Sequence, residues 1–151
     1  MIRRALSVVC AGAALAVAAG CREEDPVLSP ACREGPDPVL TALRAAPATV
    51  RLNGDTPLSA CLTNAEDGGQ LADVGTGYVT AAQRLADRAE ADPGGGAAVQ
   101  LGYLVGAVRR GSRPDQGLAY ELVRRVEGEA ARADHRSAAF RRGLRAGRRD
   151  G

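Results

Sequence analysis

The side chains that could form a catalytic triad lie close together near the carboxyl end of the chain. His135 is the only imidazole; Asp134 precedes it and Ser137 follows two residues later. A Ser-His-Asp relay needs the imidazole between the hydroxyl and the carboxylate. Residues one or two apart on a helix do not face each other, so these three cannot form that relay locally. We therefore interpret Asp134 as the N-cap of a following helix and predict no catalytic role for His135.

Two acidic clusters could hold a cation or act as a pair of glycosidase-like carboxylates. They are Glu23-Glu24-Asp25 and Glu66-Asp67, both in loop-like stretches. Neither has the spacing of a calcium-binding loop, so solvated loop charge is the simpler interpretation. Gly75-Thr76-Gly77 lacks the third glycine and the preceding strand of a dinucleotide site, and we expect it within or at the edge of a helix. We predict no enzyme activity, no cofactor and no metal.

The first residues resemble a bacterial lipoprotein signal peptide. Arg3-Arg4 precedes an apolar segment, 5–20, which ends in Ala18-Ala19-Gly20-Cys21. A basic start, an apolar stretch and small residues before the cleavage site are the three parts of a secretory signal. The resemblance implies removal of 1–20, a lipid on the thiol of Cys21, and attachment to the outer face of the cell membrane. The alternative is an ordinary secretory signal in which Cys21 has no role.

The composition indicates one small domain with an aliphatic core. About 130 residues remain without 1–20, enough for one domain with a core. The chain has no Trp, one Phe and three Tyr, so Leu, Val and Ala must fill the core, which favours closely packed helices. All 20 basic residues are arginine, so neither a Schiff-base lysine nor a Walker-type phosphate loop exists. The Ala, Arg and Gly bias resembles actinobacterial proteins.

The charge balance argues against a nucleic-acid partner. The formal net charge of +2 falls to zero without Arg3 and Arg4, because 18 arginines then face 18 acids. A chain without a global basic field is a poor match for nucleic acid. We expect the membrane as a partner through the lipid anchor and an envelope protein as a further candidate partner, and we leave the oligomeric state open.

Cys32 and Cys61 are predicted to form a disulfide. Cys10 lies inside the apolar segment and Cys21 at its end, so these two are the cysteines that remain. An exported protein meets an oxidising environment. A metal site would need more ligands than two thiols, and no Cys-x-x-Cys motif exists for redox work. The bond would fasten the far end of a polar tether, 21–35, to the fold.

The remaining chain, 36–151, is predicted to be a single helical domain. A short helix is predicted over 38–46 with Asp37 as its N-cap, followed by a tight turn at Asn53-Gly54. Apolar residues at spacings of three and four predict further helices over 71–89, 97–108, from about 116 to 133, and 137–147. Predicted inward positions on the first and third of these are Leu71, Val74, Tyr78, Ala82, Leu85 and Ala89, then Leu118, Leu122, Val123, Val126 and Ala130. The expected fold is mainly α: a small helical bundle with an irregular, disulfide-tied N-terminal segment.

The segment 97–108 is predicted to be the central helix, because it is apolar on nearly all sides. It is too short to span a bilayer, which takes about 20 apolar residues. Gly102 and Gly106 lie one turn apart and form a flat strip that another backbone can approach. We interpret the strip as packing within the monomer; a dimer face is the alternative.

The last predicted helix has an arginine-rich side, with Phe140, Leu144 and Gly147 on another side. The arginines of that side are Arg141, Arg142, Arg145, Arg148 and Arg149. Such a helix could rest on anionic lipid as a second, weak contact of a protein already tethered by Cys21. In the alternative, Phe140 and Leu144 pack on the bundle and the arginines pair with its acids.

The predicted function is that of a lipid-anchored, non-enzymatic interaction or accessory module of the cell envelope. The alternative is a carrier or sensor of a small ligand, with a pocket between helices around Tyr78, Tyr103 and Tyr120.

Overall fold

The computed structural model describes residues 27–112 and 117–151, so the predicted signal segment 1–20, Cys21 and the first acidic cluster lie outside the described residues. The helices are α1 (Pro36–Ala42), α2 (Ala60–Thr63), α3 (Gly68–Ala91), α4 (Gly96–Gly111), α5 (Gly117–Ala130) and α6 (Ala138–Asp150). Short 3-10 helices at Pro30–Arg33 and Leu43–Ala45 flank α1. The described chain contains no strand, and the predicted class, a mainly α bundle with a disulfide-tied N-terminal part, is confirmed.

The predicted cap of α1 is wrong, because the helix begins two residues earlier. Pro36 occupies its first turn, where the fixed φ of proline is already helical. Gly35 is the N-cap, with φ at 83°, a conformation that side chains other than glycine rarely adopt. Asp37 instead accepts a hydrogen bond from Arg84 of α3 at 2.7 Å.

The predicted cap of α6 is also wrong. The hydroxyl oxygen of Ser137 accepts a hydrogen bond from the Phe140 N–H at 3.1 Å and caps the helix. Asp134 accepts from the Arg136 N–H at 3.0 Å within the preceding turn. Either residue type caps helices well, so the choice depends on which one immediately precedes the first helical turn.

Leu118 does not face the core as predicted, since 62% of it is exposed. The other predicted inward positions of α5 are buried. Leu118 lies on the first turn of α5 beside Gly68, the first residue of α3. Among the described residues, both helices begin at this end, and Leu118 lies at their margin.

Helix α4 is the centre of the core, as predicted, with residues 101–108 all buried. It packs on α3, α5 and α6, and its contact with α6 is the most extensive between any two described elements. Gly102 lies against Phe140, and Gly106, one turn further along α4, lies against Leu144, one turn further along α6. The two helices are therefore parallel.

Glycines on both helices make the α4–α6 contact possible. A Cβ at Gly102 would fall on the carbonyl oxygen of Phe140, and a Cβ at Gly143 on that of Val99. Gly147 stands in the same relation to the carbonyl of Tyr103. Backbones this close bring Cα–H groups against carbonyl oxygens of the neighbouring helix, a weak but recurrent attraction. The strip at Gly102 and Gly106 is thus used within the monomer, as predicted.

The N-terminal segment is folded against α3 from Leu28 onward, inside the stretch expected to be tether. Leu28, Ala31 and Cys32 are buried. Cys32 and Cys61 form the predicted disulfide, with Cα atoms 5.5 Å apart. Closing a loop with a sequence separation of 29 contributes about 3–4 kcal/mol by loop-closure entropy. The segment 28–35, expected to be part of the polar tether, therefore belongs to the folded domain.

The tight turn at Asn53-Gly54 is confirmed. The segments on its two sides pair only through one isolated antiparallel β-bridge, between Leu52 and Thr56. Asn53 and Gly54 have φ values of 49° and 87°. Leu52 N–H donates to the Thr56 carbonyl at 2.8 Å, and Thr56 N–H donates back to the Leu52 carbonyl at 3.1 Å. Pro57, which has no N–H to donate, follows at once, so pairing stops there.

We expect Gly147→Ala to destabilise the protein by about 2 kcal/mol, because the added methyl must push α6 away from the backbone of α4. The matched control is Gly128→Ala on α5, where a Cβ would meet nothing within 4 Å. That variant should gain up to about 1 kcal/mol from the better helix propensity of alanine. Urea unfolding followed by far-UV circular dichroism measures both. Equal shifts in the two variants would contradict the close packing of α4 and α6.

Candidate functional site

The outward side of α6 carries the cluster of positive charge that the sequence predicts for this helix. At about 100° per residue, its arginines fall within an arc of about 120° around the helix. Every one of them is exposed. This surface, called the arginine face below, consists of Arg141, Arg142, Arg145, Arg148 and Arg149.

Most of the arginine face has no carboxylate partner within 27–112 and 117–151. Only Arg149 forms an ion pair, with the adjacent Asp150, at 2.7 Å. Elsewhere arginines do pair with carboxylates; they are Arg33, Arg84, Arg109, Arg125 and Arg132. Like charges three or four residues apart cost a helix about 0.2–0.5 kcal/mol per pair. The acids of the described bundle therefore leave this repulsion uncompensated.

The inner side of α6 is fully engaged with the bundle. Phe140 is 4% exposed, and its burial contributes about 2–3 kcal/mol. Gly143, Ala146 and Gly147 are buried, and Leu144 is half-buried. Phe140 and Leu144 thus pack on the bundle, as in the alternative interpretation of this helix. The ion pairs of that interpretation are limited, among the described residues, to Arg149 with Asp150. The apolar side chains Phe140 and Leu144 of α6 both pack against the core rather than stand out from the bundle.

Arginines from two other elements cap the carboxyl end of α6. Arg110 of α4 donates to the carbonyls of Arg148 and Arg149 at 3.0 and 2.7 Å. Arg51 donates to the Asp150 carbonyl at 2.9 Å. Guanidinium groups here satisfy carbonyls that the helix leaves open and oppose the negative end of its dipole. No local sequence pattern indicates these caps, because the capping arginine and the carbonyl that it caps are up to 99 residues apart.

A short path of contacts connects the disulfide with the end of α6. Cys61 of α2 lies two residues after Ser59, whose hydroxyl donates to the Gly151 carbonyl oxygen at 2.5 Å. Both Ser59 and Gly151 are buried. Since Cys61 is bonded to Cys32, the N-terminal segment is fastened close to the carboxyl end of the arginine face.

The three side chains considered for a catalytic triad, Asp134, His135 and Ser137, have separate surroundings. Ser137 and Asp134 accept backbone hydrogen bonds, as described above. His135 is exposed at the rim of a depression of about 300 Å³, near the ion pair of Arg109 and Glu127. In the described ranges no three His, Cys, Asp or Glu side chains are placed to share a metal ion.

The second acidic cluster serves the start of α3. Asp67 is its N-cap and accepts from the Gln70 N–H at 2.8 Å. The Gln70 side chain in turn accepts from the Glu66 N–H at 3.0 Å. The glycines of Gly75-Thr76-Gly77 lie within α3, as predicted, and Gly77 lets the Gly35 backbone approach it.

The tyrosines do not surround a common pocket. Tyr78 and Tyr103 are fully buried, whereas Tyr120 is 55% exposed on α5. The Tyr78 hydroxyl donates to the Leu58 carbonyl at 2.7 Å, and the Val50 N–H donates to the Tyr103 hydroxyl oxygen at 3.1 Å. Both buried rings therefore fasten the irregular segment before α2 to the long helices.

A groove of about 460 Å³ lies between α3 and α5, away from the tyrosines. Leu71, Val79, Leu118 and Leu122 supply its apolar lining, and Thr76, Thr80 and Gln83 are among its polar lining residues. The volume is within the range of small-molecule sites. Sequence reasoning missed it, because a groove depends on the spacing of two helices rather than on any residue pattern.

Comparison with known proteins gave no match to a family model, a curated protein or a solved structure. Among the described residues no helix combines the length and hydropathy needed to cross a bilayer.

We expect stability to fall as pH rises above about 10, since burial raises the pKa values of Tyr78 and Tyr103 above that of a free phenol. The unfolded chain then releases phenolic protons that the folded chain retains. Tyr78→Phe should make this alkaline loss shallower. At neutral pH it should cost about 1–2 kcal/mol, because the buried Leu58 carbonyl loses its donor.

Urea unfolding at neutral and alkaline pH measures both effects. The control Tyr120→Phe, at an exposed ring, should change neutral-pH stability by less than about 0.5 kcal/mol. An unchanged alkaline slope in Tyr78→Phe would contradict the assignment.

Proposed function

We propose that this protein is a lipid-anchored, non-enzymatic module on the outer face of the cell membrane, where it acts as an interaction or accessory protein. The anchor is the thiol of Cys21, which follows a segment with the layout of a lipoprotein signal. Leu28, seven residues after Cys21, is buried in the described domain, so the anchor is close to the fold along the chain.

The arginine face is the observation that carries this proposal. It is exposed, lacks carboxylate partners among the described residues except at Arg149, and costs its own helix stability. Charge that stabilises nothing inside a fold is well suited to a partner outside it. A role without catalysis is supported by the separate structural duties of Ser137, Asp134 and Asp67.

Cys21→Ala is expected to abolish incorporation of labelled palmitate into the protein, because the thiol that receives the lipid is gone. Growth with labelled palmitate, followed by immunoprecipitation, measures the label. Cys10→Ala is the matched control, since Cys10 lies within the segment to be removed and its loss should leave labelling unchanged. Undiminished labelling of Cys21→Ala would refute the anchor.

A second candidate function is the binding of a small, partly apolar ligand in the groove between α3 and α5. The favouring observation is the groove itself, whose leucine and valine lining stands beside hydroxyl and amide groups. Such a mixture of apolar surface with a few polar groups is typical of small-molecule sites.

Anilinonaphthalene sulfonate is a suitable probe for this groove. The fluorescence of the dye should rise when it binds the native protein. In Thr76→Trp the indole fills the groove, so the dye loses the burial of several CH₂-sized groups, and its affinity should fall by about tenfold or more. Thr41→Trp, at an exposed threonine of α1 outside the groove, should bind the dye as the native protein does. Equal dye binding by both variants would contradict a ligand site here.

A further inference from the structure

The arginine face has the form of an extended, flat array of charge. From Arg141 to Arg149 it covers about 12 Å of helix, at about 1.5 Å per residue. No apolar or aromatic side chain interrupts it, since Phe140 and Leu144 turn towards the bundle. Protein interfaces usually centre on buried aromatic or aliphatic anchors, which this surface lacks. A layer of phosphate headgroups requires only distributed positive charge.

The packing of α6 fixes how such a contact can work. Amphipathic helices that bind membranes usually bury an apolar side among the acyl chains. In α6 that side consists of Phe140 and the glycines held against α4. Freeing it would expose the core, so the helix can meet a bilayer only with its arginines, at the level of the headgroups.

The N-terminal attachment places this surface near the bilayer. Cys21 precedes Leu28 by seven residues, which span at most about 25 Å when fully extended. Cys32 is bonded to Cys61, and Ser59 contacts Gly151 just beyond the last turn of α6. The lipid and the arginine face are therefore connected through the same end of the domain.

We infer, building on the proposed anchor, that the arginine face docks on the anionic phospholipid headgroups of the membrane that holds Cys21, by charge alone and without insertion. Each arginine near an anionic surface adds to the attraction, and the tether supplies a high effective concentration. Because the attraction is electrostatic, it weakens as salt shortens the Debye length.

The test uses the processed form that the proposal implies, residues 21–151, with Cys21→Ala in every sample, so that neither the apolar segment 5–20 nor a lipid contributes to binding. Co-sedimentation is measured with vesicles of phosphatidylcholine mixed with phosphatidylglycerol and with vesicles of phosphatidylcholine alone. We expect binding to the anionic vesicles in excess of the neutral ones at about 0.1 M salt, and loss of the excess at about 1 M. An equal affinity for both vesicles would overturn the inference.

Neutralising three members of the arginine face should reduce that excess binding on the order of 100-fold. The variant is Arg141→Gln, Arg145→Gln, Arg148→Gln; its fold should survive, because like-charge repulsion is relieved. The charge-matched control is Arg33→Gln, Arg84→Gln, Arg125→Gln, which removes three arginines paired with carboxylates. That control should retain most of the binding, and an equal loss in both would show that net charge, not this face, is responsible.

Replacing the same three arginines by lysine separates charge from guanidinium geometry. Binding should be retained, since distributed charge is what the headgroups require; its loss would overturn the inference. Soluble glycerol phosphate at the same phosphate concentration should not release the protein, because a single phosphate cannot reproduce the array. Release would mean that the face takes free phosphate rather than a bilayer.

The anchor and the docking surface fail in different experiments. Palmitate labelling without preferential binding to anionic vesicles overturns the docking surface alone. Preferential binding without palmitate labelling overturns the anchor alone.

Discussion

The close approach of α4 and α6 is the constraint on which the rest of this fold depends. Helix α6 has glycines in its interior and arginines of like charge along its outside, both unfavourable for an isolated helix. A helix of 13 residues with that composition has little stability of its own. It persists because Gly143 and Gly147 carry no Cβ at the positions where one would meet the α4 backbone, so that backbone packs on backbone there. The arrangement of the arginine face is therefore a consequence of packing on its opposite side.

The same contact organises the irregular part of the chain. Tyr103, beside Gly147 in the α4–α6 contact, also accepts the Val50 N–H, and Arg51 caps the end of α6. Ser59 reaches that end as well, and the disulfide brings in the N-terminal segment. A segment without regular hydrogen bonding is thus held by side chains of the long helices, which satisfy its backbone groups.

Much of the fold follows from the sequence, because the strongest signals were local. Periodic apolar residues placed the long helices, and Asn53-Gly54 placed the turn. The disulfide followed from the count of cysteines. Prediction failed where two local signals competed, as at Gly35 and Asp37 or at Ser137 and Asp134, since only the tertiary position of the first turn decides between them. The site was predictable only in part: spacing placed the arginines on one side, but their lack of ion partners depends on where remote acids lie.

The arginine face differs from the other charged surfaces in what a local account can explain. Arg125 has Glu121 one turn away, and Arg132 bridges to Asp87 and Glu129, so those charges stabilise the helices that carry them. Exposed pairs of this kind contribute little, about 1 kcal/mol at most, but they cancel charge. On α6 the repulsion is retained although glutamate at a neighbouring position would remove it. Residues 21–151 hold 18 arginines and 18 acids, and this segregation gives the domain a positive side. A negative surface attracts the positive side of a domain polarised in this way, and with the proposed anchor at Cys21 the nearest such surface is the bilayer.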